Sequence, residues 1–276
     1  MTSKLSERSG DRRMMSERAS QQAFFGIAAL LFAASAAITI AWCSSMSAMG
    51  GMPMPGHWTM SMAWMPMCGQ TWPGAALTFL GMWAVMMVAM MLPSLIPMLW
   101  RYRQAISDNG EIRLGQLTLV TGLAYFLVWT TLGVIAFPLG ALLAAAEMQQ
   151  PALARAVPLM EGMVVLIAGA LQFTAWKAHH LACCRGAPGH RHKLQANISE
   201  AWRHGLRLGL HCSYCCAGLT AIFLVIGVMD LRVMALVTAA ITMERLAPHG
   251  ERAARAIGAV AVVAGALLIV RAVIPA

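Results

Sequence analysis

Residues 81–100 read GMWAVMMVAMMLPSLIPMLW, without one charged side chain. An α-helix needs about 20 such residues to cross the hydrocarbon of a bilayer. The chain around this run has the same character. It is 276 residues long, 59% hydrophobic and 11% charged, with a mean hydropathy of +0.66, whereas soluble domains carry about a quarter charged residues. Apolar runs predict spans at about 23–42, 75–99, 116–146, 158–176, 205–228, 231–247 and 255–274. The expected fold is all-α, a polytopic transmembrane bundle of six to seven helices. The third run is overlong and is expected to end near Pro138 or to tilt; the sixth is short.

Lys and Arg set the orientation, because cytoplasmic segments collect positive charge. Lys4, Arg8, Arg12, Arg13 and Arg18 precede span one, and Arg101, Arg103 and Arg113 separate spans two and three. Lys177, Arg185, Arg191, Lys193, Arg203 and Arg207 fall between spans four and five or at their ends; Arg245, Arg252 and Arg255 fall between six and seven. A cytoplasmic N-terminus puts all of these inside and leaves only Arg155, Arg232 and Arg271 outside. The net charge of +9 is therefore a topology signal, and nucleic acid is not an expected partner. The same asymmetry retains span one as a helix rather than a cleaved secretory signal. Residues 1–22, charged and without apolar period, are expected to form a disordered cytoplasmic tail, and residues 23–274 the membrane bundle.

In that topology residues 43–74 form an external loop with no Lys, Arg, Asp or Glu. It holds Met46, Met49, Met52, Met54, Met60, Met62, Met65 and Met67, with His57 among them and Cys43 and Cys68 at its flanks. Thioether, thiol and imidazole make a soft ligand set suited to Cu(I). Gly50, Gly51, Pro53, Pro55 and Gly56 break any helix, so a flexible loop is expected. A loop needing only apolar bulk has no reason to prefer thioethers to Leu or Val, which favours metal binding. Cys43 and Cys68 fit either an external disulfide or metal thiolates. Trp58, Trp64 and Trp72 are expected as interfacial anchors. Within span two, Met86 and Met90, and Met87 and Met91, are four apart and stack on shared faces. Pro93 and Pro97 free backbone carbonyls there.

The most specific chemical pattern is GLRLGLHCSYCCAGL, residues 205–219. Cys212, Cys215 and Cys216 stand at i, i+3 and i+4, which places three thiols on one helix face; His211 is four before Cys215. Such a face supplies a trigonal Cu(I) site or most of a tetrahedral Zn(II) site. Gly205 and Gly209 thin the helix for close approach by span two or four. Upstream, a Cys/His-rich cytoplasmic loop at 177–204 adds His179, His180, Cys183 and Cys184, with His180 and Cys184 forming an i, i+4 pair; His190 and His192 belong to the loop alone.

These blocks resemble the bacterial predicted metal-binding integral membrane proteins, often labelled copper chaperones. The resemblance runs from about Trp83 to Arg245. Its first block, W-x-x-M-M-x-A-M-M-x-P-x-x-x-P, is matched by Trp83, Met86, Met87, Ala89, Met90, Met91, Pro93 and Pro97. In the second, K-x-x-C-L-x-x-C-R, Lys177, Leu181, Cys184 and Arg185 match, His180 replaces the first Cys, and Cys183 is additional. The third matches at Gly205, Gly209, Cys212, Cys215, Cys216, Gly227, Met229 and Glu244, with Ala217 in place of an aromatic and Arg245 in place of Lys. The resemblance implies a bacterial inner (cytoplasmic) membrane protein that binds metal.

Gln172 and Glu244 are polar residues in apolar sequence, costly enough to suggest a pathway or a pair; Glu244 is expected to pair with neighbouring Arg245. Glu161 is a weaker candidate for coupling or metal entry. No phosphate-binding loop or catalytic triad pattern stands out, and no enzymatic activity is expected. Together the residues point to Cu(I) acquisition, transport or delivery, with the bilayer and a copper donor or acceptor protein as partners; zinc is the alternative metal. The rivals are a thiol-disulfide oxidoreductase using Cys212, Cys215 and Cys216 and a structural membrane subunit.

Overall fold

The computed structural model describes residues 2–48, 50–56, 58–67, 69–107, 113–185 and 197–274, with side chains from Arg18 onward. Eight α-helices occur among them: α1 (Thr2–Ala48), α2 (Trp72–Ser107), α3 (Leu114–Gln149), α4 (Pro151–Leu171), α5 (Ala175–Arg185), α6 (Ile198–Ile226), α7 (Leu231–Leu246) and α8 (Gly250–Val273). All but α5 and α7 are long and apolar enough to cross a membrane. At 16 residues, α7 is about 24 Å long, short of the roughly 30 Å hydrocarbon thickness.

Local chemistry sets several boundaries. Gln150 is extended and Pro151 opens α4 at a position where its missing N–H costs nothing. Asn197 caps α6 by accepting the Glu200 N–H at 2.8 Å, and Asp230 caps α7 by accepting from Arg232 and Val233. Helix α3 continues past Pro138 instead of ending there; one forfeited backbone bond does not break a 36-residue helix. Residues 177–185, expected as loop, belong to helix α5. Helix α1 begins far ahead of the apolar run at 23.

The methionine-rich segment also has more order than expected. Strands β1 (Met52–Met54) and β2 (Trp58–Met60) pair antiparallel, Met52 opposite Met60, and a short 3-10 turn follows at Met62–Trp64. Gly56, at φ 105°, makes the turn between the strands. The Trp58 indole N–H donates to Ala154 O at 2.8 Å, fastening the hairpin to the start of α4. Trp64 packs on Phe79 of α2 at 5.1 Å, and only Trp72 stays well exposed.

The hairpin, the α3–α4 junction and the α6–α7 turn lie at one end of the bundle. At the other end, Arg103 donates to Ser20 Oγ, Arg101 to Arg185 O, and Arg185 to Ala247 O and Pro248 O.

Helix α6 packs most closely on α3, not on α2 or α4 as Gly205 and Gly209 suggested. A Cβ at Gly205 would strike the Thr121 carbonyl oxygen and lie 2.7 Å from Ala124 Cβ. The obstacle is backbone and cannot rotate away. Gly205→Ala is expected to cost about 1–3 kcal/mol, read as a lowered unfolding midpoint in detergent, whereas Ala at Gly81, where no atom lies within 4 Å, should leave it unchanged.

Candidate metal centre

The i, i+3, i+4 spacing turns Cys212, Cys215 and Cys216 toward the middle of the bundle, where they are 0%, 2% and 0% exposed. Cys212 Sγ and Cys216 Sγ are 3.9 Å apart. Cys184 of α5 joins them, within hydrogen-bonding reach of Cys215, which in turn reaches Cys216. Four thiols from two helices thus form one buried cluster. Cys183 does not belong to it. One residue on from Cys184 in reverse, it points about 100° away on the helix, is exposed, and lies 3.8 Å from His179 Nε2.

Cations and hydroxyls surround the thiols. Tyr125 Oη of α3 lies 2.9 Å from Cys212 Sγ. Arg245 of α7 donates through Nη1 to Cys212 Sγ at 3.2 Å and to Ser94 Oγ at 2.8 Å, and through Nη2 to Met98 Sδ at 3.5 Å. Lys177 Nζ donates to Cys215 O at 2.7 Å and to Glu244 Oε2 at 2.6 Å; Gln172 Nε2 donates to Glu244 Oε1 at 2.9 Å. The expected Glu244–Arg245 pair is therefore absent among these contacts, and Glu244 pairs with Lys177. Adjacent residues on a helix diverge too far to face one another, so Glu244 and Arg245 serve different neighbours. Gln172 and Glu244, expected to need a pathway or a pair, bond to each other.

His180 and His211 flank the cluster, ring centroids 6.2 Å apart, with Tyr214 5.4 Å from His180. The Nδ1 atoms of both histidines are buried and without a hydrogen-bond partner. Desolvation, then the neighbouring His179 and His211 rings, push the His180 pKa down, which favours the neutral imidazole that binds metals. Met86, Met87, Met90 and Met91 of α2 are all buried in the core that also holds the cysteines. At the hairpin end, Met60 and Cys43 are buried, Met52 is exposed and Met54 is half-buried. Met46, Met62, Met65 and Met67 gather around a small cavity beneath the hairpin. Met49, His57 and Cys68 lie outside the described residues.

Among the described residues, no three His, Cys, Asp or Glu side chains are gathered in a metal-coordinating arrangement. Soft-metal donor sets also include thioethers, and Met98 shares Arg245 with Cys212. Sequence patterns left Tyr125, Ser94 and Met98 out of the site. Tyr125 and Ser94 carried no signal. Arg245 was visible as a charge beside an apolar span but was set aside as an ion-pair partner.

Fold and centre together define a predominantly helical, membrane-capable protein with a buried thiol cluster bordered by thioethers and cations. The chain belongs to the family described as PpoB2, copper chaperone, whose model matches residues 80–268. That match takes in the whole cysteine cluster and all residues named around it, and leaves out the hairpin. No curated protein and no solved structure matches the chain.

Proposed function

We propose that this protein binds Cu(I) within the bacterial cytoplasmic membrane and hands it from thioether to thiolate ligands for delivery to an acceptor protein. The observation that carries this reading is the burial of Cys184, Cys212, Cys215 and Cys216 together, with Arg245 donating to a thiol and no carboxylate among the sulfur atoms' partners. Soft sulfur ligands favour Cu(I) over hard cations, and the one buried carboxylate nearby, Glu244, is paired with Lys177. Family membership supports copper as the cargo. The distribution of Lys and Arg supports a cytoplasmic N-terminus, which puts the hairpin outside. Met82, Met86 and Met90 then succeed one another at four-residue intervals along α2, and Ser94 and Met98 continue the series to the guanidinium that touches Cys212. Thioethers bind Cu(I) more weakly than thiolates, so transfer along this path runs downhill toward the cysteines.

Purified full-length protein, assayed under reducing conditions with a Cu(I)-chelating competitor and with Zn(II) and Ni(II) present, should take up Cu(I) selectively. Replacing Cys212, Cys215 and Cys216 together by Ser should abolish the tightest binding step. Unchanged Cu(I) binding in that variant refutes the reading. A reversible Cys212–Cys215 disulfide formed in metal-free protein during turnover would favour the oxidoreductase instead.

A further inference from the structure

Beneath the hairpin lies a cavity of about 40 Å³ whose walls include Met46, Met62, Met65, Met67, Met82 and Met229. These come from four separate places: the end of α1, the 3-10 turn and the segment after it, the third turn of α2, and the α6–α7 turn. Gly227, at φ 153°, ends α6 and swings the chain round so that Met229 reaches the cavity. We propose that this cavity is an all-thioether site for a bare soft monovalent cation, Cu(I) or its redox-stable analogue Ag(I), distinct from the cysteine centre. The proposal rests on the copper reading and adds an outer site with its own ligands.

Three features favour an ion over packing alone. Methionine used as filler closes irregular gaps, yet here six methionines line a pocket that stays open at its rim. The space is far below the roughly 300 Å³ or more of an organic-ligand pocket but larger than the 10–15 Å³ that admits one water-sized sphere. Its lining contains no charged side chain. The polar side chains there, Gln70 and Thr78, bond to each other at 3.0 Å, and Gln70 Oε1 also accepts the Met67 N–H. Hard cations, which need several free oxygens, are therefore poorly served, while thioether sulfur suits Cu(I). The Trp42 and Phe79 rings add faces that attract a cation.

Access and exit both exist. Met67 is exposed and Met46, Met62 and Met65 are half-buried, whereas Met82 is 4% exposed and forms the floor. An ion accepted at the rim and passed to Met82 stands one helical turn from Met86.

The test uses the full-length protein in lipid nanodiscs, titrated with Ag(I) in a background with all seven cysteines replaced by Ser, so that the thioether site is read without thiols. This variant should retain an Ag(I) equivalent whose binding quenches the part of the tryptophan emission that Trp42→Phe removes. Adding Met82→Leu and Met229→Leu should abolish both the equivalent and the quenching. Met46→Leu with Met65→Leu, at the half-buried rim, should do the same in otherwise unaltered protein, read by the Trp42 signal, and guards against a folding defect from the deeper pair. Equal Ag(I) binding and quenching with and without these leucines overturns the proposal. If the cysteine-free variant binds no Ag(I), the outer site is refuted while the copper reading stands; if unaltered protein binds neither Cu(I) nor Ag(I), both fall.

Discussion

Glu244→Leu is expected to destabilise the protein by about 3–5 kcal/mol, the cost of breaking a buried ion pair from one side. Lys177 and Glu244 lie 2.6 Å apart with side chains 4% and 1% exposed. With the carboxylate gone, the Lys177 ammonium keeps only the Cys215 carbonyl as a recorded acceptor, and Gln172 loses its partner as well. Lys177→Met strands the carboxylate in the same way and should cost a similar amount. The double variant, Lys177→Met with Glu244→Leu, removes both charges and should recover much of the loss, because apolar pairs often replace buried ion pairs at little cost. Unfolding midpoints of the three variants in one detergent, analysed as a double-mutant cycle, measure the coupling. Additive losses would mean that Lys177 and Glu244 do not depend on each other, contrary to this geometry.

That pair marks where the sequence stops being readable. The uncharged run at 81–100 was enough to place α2, and the i, i+3, i+4 spacing was enough to turn Cys212, Cys215 and Cys216 to one side, because both follow from the period of a single helix. What the thiols meet there is a matter of tertiary packing. Cys183 and Cys184 are neighbours in sequence, yet one is exposed and the other is buried beside Cys215. Glu244 and Arg245 look like a pair because they are adjacent, and the helix sends them apart for that reason. Lys177 and Glu244 are 67 positions apart and no local rule joins them. The hairpin was hidden because its Pro and Gly content signals only a break in helix, while its docking depends on one indole reaching Ala154 on a distant helix.

Arg245→Met is expected to weaken Cu(I) binding at the cysteine centre by about 10–100-fold, the range for losing an outer-shell partner that orients metal ligands. Arg245→Lys should retain most of the affinity. Several thiolates sharing one monovalent ion leave the centre net negative, and in an apolar core that charge is costly unless a cation offsets it. Lys177 is already committed to Glu244, so Arg245 is the cation available to the sulfur atoms among the described neighbours. It also links Ser94 and Met98 of α2 to Cys212 of α6, holding a thioether beside a thiol. A lysine keeps the charge but not the fork that touches three partners at once, which is why some loss is expected even there. Competition titrations with a Cu(I) chelator give the affinities, and unfolding of the metal-free protein supplies the control. If Arg245 acts through the bound ion, Arg245→Met lowers Cu(I) affinity far more than it lowers metal-free stability; equal losses in both would reduce the guanidinium to a packing role and remove it from the centre.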